Sequence, residues 1–174
     1  RQSVSPWAES LPSAEVTATV DNADRLYNMV NPTGLYAYLQ DGQYMDWSIL
    51  VGGAEVYMGR QYFTSAESED GGLTASLTFH DRLLVLDDVQ YTGTETGTWT
   101  LQTAVTTLLS ASGTGLTAVF ETGLASVVVG RPSAGTTLRE ALRQVAQAAM
   151  CTCFVDRSDR LHFVRPALAT APVS

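Results

Sequence analysis

The sequence predicts a mainly β protein that ends as α+β: an N-terminal antiparallel β-barrel or sandwich, then a small segment with two helices packed on short strands and a hairpin. Three observations carry this prediction. Short runs of period-two alternation, spaced by turn residues, recur through residues 15–80. Two later stretches, beginning near Leu101 and Leu138, switch to the 3.6-residue period of an amphipathic helix. Between the two patterns lies a Thr/Gly-rich run, Thr92-Gly-Thr-Glu-Thr-Gly-Thr98, which reads as a connector. The expected organisation is a β domain over 1–91, the connector 92–98, an α+β domain over 99–166, and a tail 167–174 leading to a following domain.

Residues 1–14 read as irregular, with Pro6, Trp7 and Pro12. Val16, Ala18 and Val20 then alternate with Thr17, Thr19 and Asp21 as a half-buried strand, which Asp21-Asn22-Ala23-Asp24 breaks. The stretch Arg25 to Asp41 reads as a long loop, and loops of this length usually bind or pack. Met45, Trp47, Ile49 and Val51 begin a meander, with Gly52-Gly53 as a tight turn and Gly59 marking a bulge. Asp70-Gly71-Gly72 turns the chain again, and Leu73, Ala75, Leu77 and Phe79 alternate without a fault. Asp81 to Leu86 reads as a short helical turn closing the sheet.

In the second half, Leu101, Ala104, Val105, Leu108 and Leu109 form a helical stripe with Thr100 as N-cap and Gly113 and Gly115 as its end. Leu116 to Glu121 and Ser126 to Val129 read as short strands. The clearest stretch follows. Thr137-x-x-Glu140 has capping-box spacing, and Leu138, Ala141, Leu142, Val145, Ala149 and Met150 make one apolar stripe. Cys151, Cys153 and Val155 then alternate with polar or aromatic partners. Arg157-Ser158-Asp159 supplies turn chemistry, and Leu161 to Val164 runs back as a second strand.

Composition narrows the classes. An apolar fraction of 45% with 16% charged residues fits a folded globular chain. No apolar run approaches the ~18 residues of a transmembrane helix, so none is expected. The chain starts at Arg1 without an initiator Met and is expected to be a piece of a longer polypeptide. Net charge is −8 and uneven: residues 1–95 hold 4 Arg against 14 Asp and Glu, while residues 96–174 hold 6 Arg against 4. The acidic first part repels phosphate, so direct nucleic-acid binding is not expected.

Each motif that imitates chemistry has a plainer reading. Gly130-Arg-Pro-Ser-Ala-Gly135-Thr-Thr137 spaces its glycines like a phosphate loop, but Thr136 stands where Lys should, so we read a helix-entry loop. His80-Asp81 lacks any G-x-S-x-G nucleophile elbow, and no catalytic residue is assigned. Cys151 and Cys153, two apart on one strand, suit a disulfide poorly and lack a four-ligand zinc set, so buried thiols are expected, with no metal and no cofactor. Glu67-Ser-Glu69-Asp70 and Asp87-Asp88 do not match a calcium loop and read as solvated turns. Tyr36, Tyr38 and Tyr44 are expected to pack beneath their loop, with a sugar platform as the alternative.

Four stretches together resemble one family. Leu11-Pro12 to Val20-Asp21-Asn22-Ala-Asp24, with Tyr27-Asn28-x-x-Asn31-Pro32, is similar to the opening of tail proteins of long-tailed phages and prophages. Val56-Tyr-Met-Gly59-Arg-Gln-Tyr-Phe63 resembles their G-x-F/Y strand, and Leu77-Thr-Phe-His80-Asp81-Arg82-Leu83 their closing strand. Thr137-Leu-Arg-Glu140-Ala-Leu to Val155-Asp156-Arg-Ser-Asp159-Arg-Leu161 resembles their helix and D-R-x-G-x-L hairpin. Asp159 stands where Gly is usual, and His80 where an aromatic is commoner. The resemblance is to baseplate-hub or tail-tip proteins, including the N-terminal part of tail-associated lysins.

That resemblance implies a structural, non-enzymatic protein of the virion tail that closes the tail tube and anchors receptor-binding or lytic parts. Its implied partners are other tail proteins, such as the distal tail protein and the tape measure. A homotrimer is implied for the full-length protein, and a monomer or weak oligomer for this fragment. A carbohydrate-binding β-domain of a bacterial surface protein is the alternative.

Overall fold

The computed structural model describes residues 11, 13–28, 31, 33–68 and 72–166, without the side chains of 36 and 37. The chain divides into two compact units, one over Ser13–Arg82 and the other from Leu83 onward together with Leu11. The division falls after Arg82, so the run Thr92 to Thr98 lies inside the second unit and is not a connector. Its composition has a local cause. Tyr91 N–H donates to the Thr136 carbonyl (2.8 Å), Gly135 N–H to the Tyr91 carbonyl (2.8 Å), and Arg131 to the Glu95 and Gly97 carbonyls. A Cβ on Gly93 would meet that of Ala134 at 2.6 Å, so glycine there permits close backbone approach.

The first unit is a four-stranded antiparallel sheet curled into half of a barrel. Its strands are β1 (Glu15–Asp21), β2 (Tyr44–Val51), β3 (Ala54–Ser68) and β4 (Thr74–His80), in the spatial order β1-β4-β3-β2. The predicted alternation holds: Val16, Ala18 and Val20 are half-buried, and Ala75, Leu77 and Phe79 are buried. Leu73 lies before β4 and is exposed. Gly52 and Gly53 both take positive φ (58° and 84°), the requirement of a two-residue hairpin turn whose twist matches its strands. The register slips between Trp47 and Ser48, where Gly59 (φ 126°) creates the expected bulge.

Strand β3 is far longer than its neighbours, and this shapes the unit. Its second half, from Tyr62 to Ser68, pairs with β4, while its first half, from Ala54 to Tyr62, pairs with β2. Beyond Tyr62, β2 and β3 therefore run on as a two-stranded ribbon. The buried core beneath the sheet is small: Phe63, Leu77 and Phe79, with Trp47 and Tyr27 packed at its edge. The long loop contains a 3-10 turn, Leu35–Tyr38. Gly34 enters it so closely that a Cβ would lie 2.4 Å from the Leu26 carbonyl oxygen. The predicted turn at 70–72 lies mostly outside the described residues.

The second unit contains β5 (Trp99–Thr100), α1 (Leu101–Ser112), β6 (Thr117–Phe120), β7 (Val128–Val129), α2 (Leu138–Ala148), β8 (Thr152–Val155) and β9 (Arg160–Val164). A 3-10 turn at Leu84–Asp87 precedes them, slightly later than the expected helical turn. All five stripe residues of α1 are buried, Thr100 accepts from Thr103 N–H at its start, and Gly113 closes it at φ 64°. In α2, Leu138, Ala141, Leu142 and Val145 are fully buried, and Ala146 joins them.

Two details of α2 differ from expectation. The capping box is half formed: Thr137 Oγ1 accepts from Glu140 N–H (3.2 Å), but the Glu140 carboxylate takes Arg143 (2.6 Å) and Gln144 (3.1 Å) instead of turning back. A guanidinium one turn on is a stronger donor than a backbone N–H. Met150 is not in the stripe; it is 72% exposed at φ 52°, in the left-handed position after the helix end that glycine usually fills. Cys151 N–H then bonds the Ala146 carbonyl (3.0 Å) and swings the chain into β8.

The hairpin β8–β9 forms as read, with Asp159 left-handed at φ 56°. A third strand is added: β6 pairs parallel with β9, giving the order β6-β9-β8. Strand β5 pairs separately with β7. Among the described residues, no helix is long and apolar enough to cross a membrane.

Candidate functional site

The residues that imitate catalytic or metal-binding motifs have structural duties. Asp81, 3% exposed, accepts from Ser13 Oγ (2.9 Å) and Ala14 N–H (2.7 Å), clamping the entry to β1. His80 Nε2 lies 3.7 Å from the Glu15 carboxylate on the neighbouring strand. These contacts tie the entry of β1 to β4. Cys151 and Cys153 are free and buried. Burial pushes the Cys151 thiol up to about 11 and the Cys153 thiol higher still, so neither is a ready thiolate.

In the helix-entry loop, Ser133 N–H donates to Gln144 Oε1 (2.9 Å), and Arg131 is spent on backbone carbonyls. These groups are occupied within the protein, as a helix-entry loop requires. Asp87 pairs with Arg139 at 2.6 Å, so this part of the acidic turn is not a bare calcium site. Glu69 and Asp70 lie outside the described residues. Among the described residues, no three His, Cys, Asp or Glu side chains cluster to hold a metal.

What stands out among the described residues is in the first unit, where apolar side chains of the sheet and of the long loop border an open space. A cleft of about 290 Å³ opens there. Phe63, Leu77 and Phe79, from β3 and β4, line it together with Tyr27, Leu35, Tyr38 and Leu39 of the long loop. Gln43, Tyr44 and Met45, where β2 begins, complete the lining. Edge-on aromatic contacts, Trp47 to Phe79 at 5.2 Å and Phe63 to Phe79 at 5.7 Å, hold Phe79 in place. The loop is stitched down by Gly42 N–H to the Phe63 carbonyl (3.1 Å) and Phe63 N–H to the Gln43 carbonyl (2.7 Å).

The cleft is apolar and uncharged by lining. Its one amide, Gln43, donates to the Tyr38 carbonyl (3.0 Å) and accepts from Gln40 N–H (3.1 Å). Tyr38 and Tyr44 sit differently from the sequence expectation, while the side chain of Tyr36 lies outside the described residues. Tyr38 is 72% exposed and Tyr44 61% exposed, at the rim and not beneath the loop. Tyr44 carries the Arg60 guanidinium over its ring at 3.9 Å. Arg60 in turn grips Asp46 through two hydrogen bonds of 2.9 Å, which holds the Asp46 carboxyl below its ordinary range.

Beside the cleft, the ribbon exposes apolar residues where an edge strand is normally blunted. Ile49, Leu50 and Val51 are 49%, 78% and 56% exposed, and Tyr57, opposite Ser48, and Met58, at the bulge, are exposed as well. The edge has neither Lys nor Pro to discourage pairing. Sequence reading found the alternation of β2 but not its exposure. The signal was present in the apolar Ile49-Leu50-Val51 run before the glycines, which breaks the strict alternation of a one-sided strand.

No family model and no curated protein matches this chain. Solved structures do match in fold. The 43 kDa tail protein of prophage MuSo2 from Shewanella oneidensis superposes with a TM-score of 0.55 at 16% identity, over 98% of this chain and 50% of that one. The tail protein from Neisseria meningitidis MC58 gives a TM-score of 0.51 at 15% identity, over 86% of this chain and 45% of that one. The chain thus spans about half the length of these solved proteins, and the likeness is one of fold.

Proposed function

We propose that this chain is a structural part of a phage or prophage tail, acting at the tail tip as a piece of the baseplate hub. The observation that carries the reading is the fold shared with the MuSo2 tail protein along 98% of the chain. The exposed apolar ribbon and cleft support an assembly role, because contiguous apolar surface on a folded unit marks a place where another molecule sits. On this reading the protein is not an enzyme. It closes the tail tube as a ring of three copies and holds receptor-binding or lytic parts, next to the distal tail protein and tape measure.

Immunogold labelling of tails from an induced lysate tests the proposal. Label at the distal end of the tail is expected. Label along the tube would overturn the tip position, and tails without label would overturn the tail role itself.

A second reading, carbohydrate binding, is favoured by one observation: Tyr38 and Tyr44 stand exposed at the cleft rim, as a sugar-stacking platform would need. Saturable binding of bacterial surface glycan, abolished by Tyr38→Ala, is its expected signature.

A further inference from the structure

We propose that Leu11 is a latch: a residue ahead of the first unit that closes the core of the second, is fixed by one guanidinium, and can be withdrawn without unfolding either unit. By sequence it belongs to the lead-in of β1. In the structure it is 3% exposed and lies in the same buried cluster as Leu83, Leu86 and Leu138, each 0% exposed. Arg139, the second residue of α2, fixes it there. Its Nε donates to the Leu11 carbonyl (2.8 Å), Nη2 donates to the same oxygen, and Nη1 donates to the Asp87 carboxylate (2.6 Å). Asp87 thus aims the guanidinium, whose planar fork serves a carboxylate and a carbonyl at once.

Two residues later the chain belongs to the other unit. Ser13 Oγ and Ala14 N–H donate to the Asp81 carboxylate (2.9 and 2.7 Å), and Asp81 N–H donates to the Ala14 carbonyl (3.0 Å). The chain therefore leaves the second unit after Leu11, builds the first, and re-enters the second at Leu83. The first unit is an insertion, and each unit ties its own end of the crossing.

Leu11 lies in neither a helix nor a strand, so no ladder of hydrogen bonds holds it. An attachment of one apolar side chain and one carbonyl opens locally, well short of global unfolding. Binding or tension on the chain ahead of Leu11 would withdraw it. Withdrawal uncovers part of the leucine cluster and releases Arg139 from its carbonyl, while β1 stays paired with β4.

Hydrogen exchange on the full chain tests the latch. Leu11→Ala is expected to speed exchange of the Leu86 and Asp88 amides, which bond the Leu83 and Val85 carbonyls, at least ten-fold. The β4 amides of Leu77 and Phe79 are expected to be unchanged. Faster exchange in β4 alone would overturn the proposal, because Leu11 would then serve the first unit; equal acceleration in both units would overturn it as well.

A thiol at the same position reads the opening itself. In Leu11→Cys, the new thiol is expected to react with a thiol reagent at least ten-fold more slowly than in urea. Adding Arg139→Ala should speed that reaction at least ten-fold while native Cys151 and Cys153, each 2% exposed, stay unreactive. Reaction of all three thiols together would mean that the second unit opens as a whole and that no latch exists. A rate unmoved by Arg139→Ala, or raised as much by Asp81→Asn, would equally overturn it.

Discussion

The two units differ most in how much apolar surface each hides within itself. In the second, the core cluster comprises 24 buried residues among those described, drawn from both helices and the strands that flank them. In the first, the cluster comprises three, although that unit also holds the longest strand among the described residues. The second unit has helices to lay across its sheet. The first has a curled sheet, a loop, and a ribbon that continues past the strands that would cover it. A unit of that kind gains stability by covering its apolar surface with something else, and among the described residues the cleft and ribbon are where that surface is most open.

Breaking the second unit should need an assault on its helix. Leu142 is fully buried in α2, so Leu142→Asp would bury an unpaired carboxylate and cost several kcal/mol. In urea melts the transition of this unit should move sharply to lower denaturant. An unchanged midpoint would mean that the α2 face is not the centre of its core.

Next in size comes Phe79→Ala in the first unit, which removes one of the three members of its core cluster and two aromatic contacts. The expected cost is about 3–5 kcal/mol. Hydrogen exchange should show β3 and β4 amides losing protection while α2 keeps its own. Equal loss in α2 would show that the contrast between the units is false, because both then open together.

A pH series sharpens the picture of the second unit. Burial alone would raise the Asp156 carboxyl, but hydrogen bonds from His162 and Arg160, with backbone N–H groups of Arg160 and Ser158, outweigh it and hold the group well below its ordinary 3.8. A carboxyl depressed by folding stabilises while ionised. Its contribution is complete above the ordinary value and is lost as pH falls below about 4 toward the folded-state value. Asp156→Asn should therefore flatten the acid limb of the stability curve measured by thermal melts. An identical acid limb would remove Asp156 from the account.

The smallest effect is expected from Arg143→Ala. Its pair with Glu140 spans one helical turn and stays partly exposed, so the change should be about 0.5 kcal/mol or less. Set beside Leu142→Asp, it isolates the buried face of α2 from its polar neighbour.

What the sequence by itself determined is what a single segment can encode. The stripe of α1 and its Thr100 cap, the alternation of β1 and β4, the Gly52-Gly53 turn, the bulge at Gly59 and the left-handed Asp159 all follow from local periodicity and backbone sterics, and all stand in the structure. Tertiary structure decided the rest. The parallel pairing of β6 with β9 joins segments some forty residues apart, and no local pattern records a partner at that distance. Thr92 to Thr98 became part of the second unit because Arg131, distant in sequence, bonds the carbonyls of Glu95 and Gly97. The aromatics of the candidate site were visible as residue types. That Tyr38 and Tyr44 stand at a rim, and that the ribbon projects, depends on how far β4 runs along β3. Strand alternation specifies which side chains share a face, while the length over which two strands pair decides whether that face is covered.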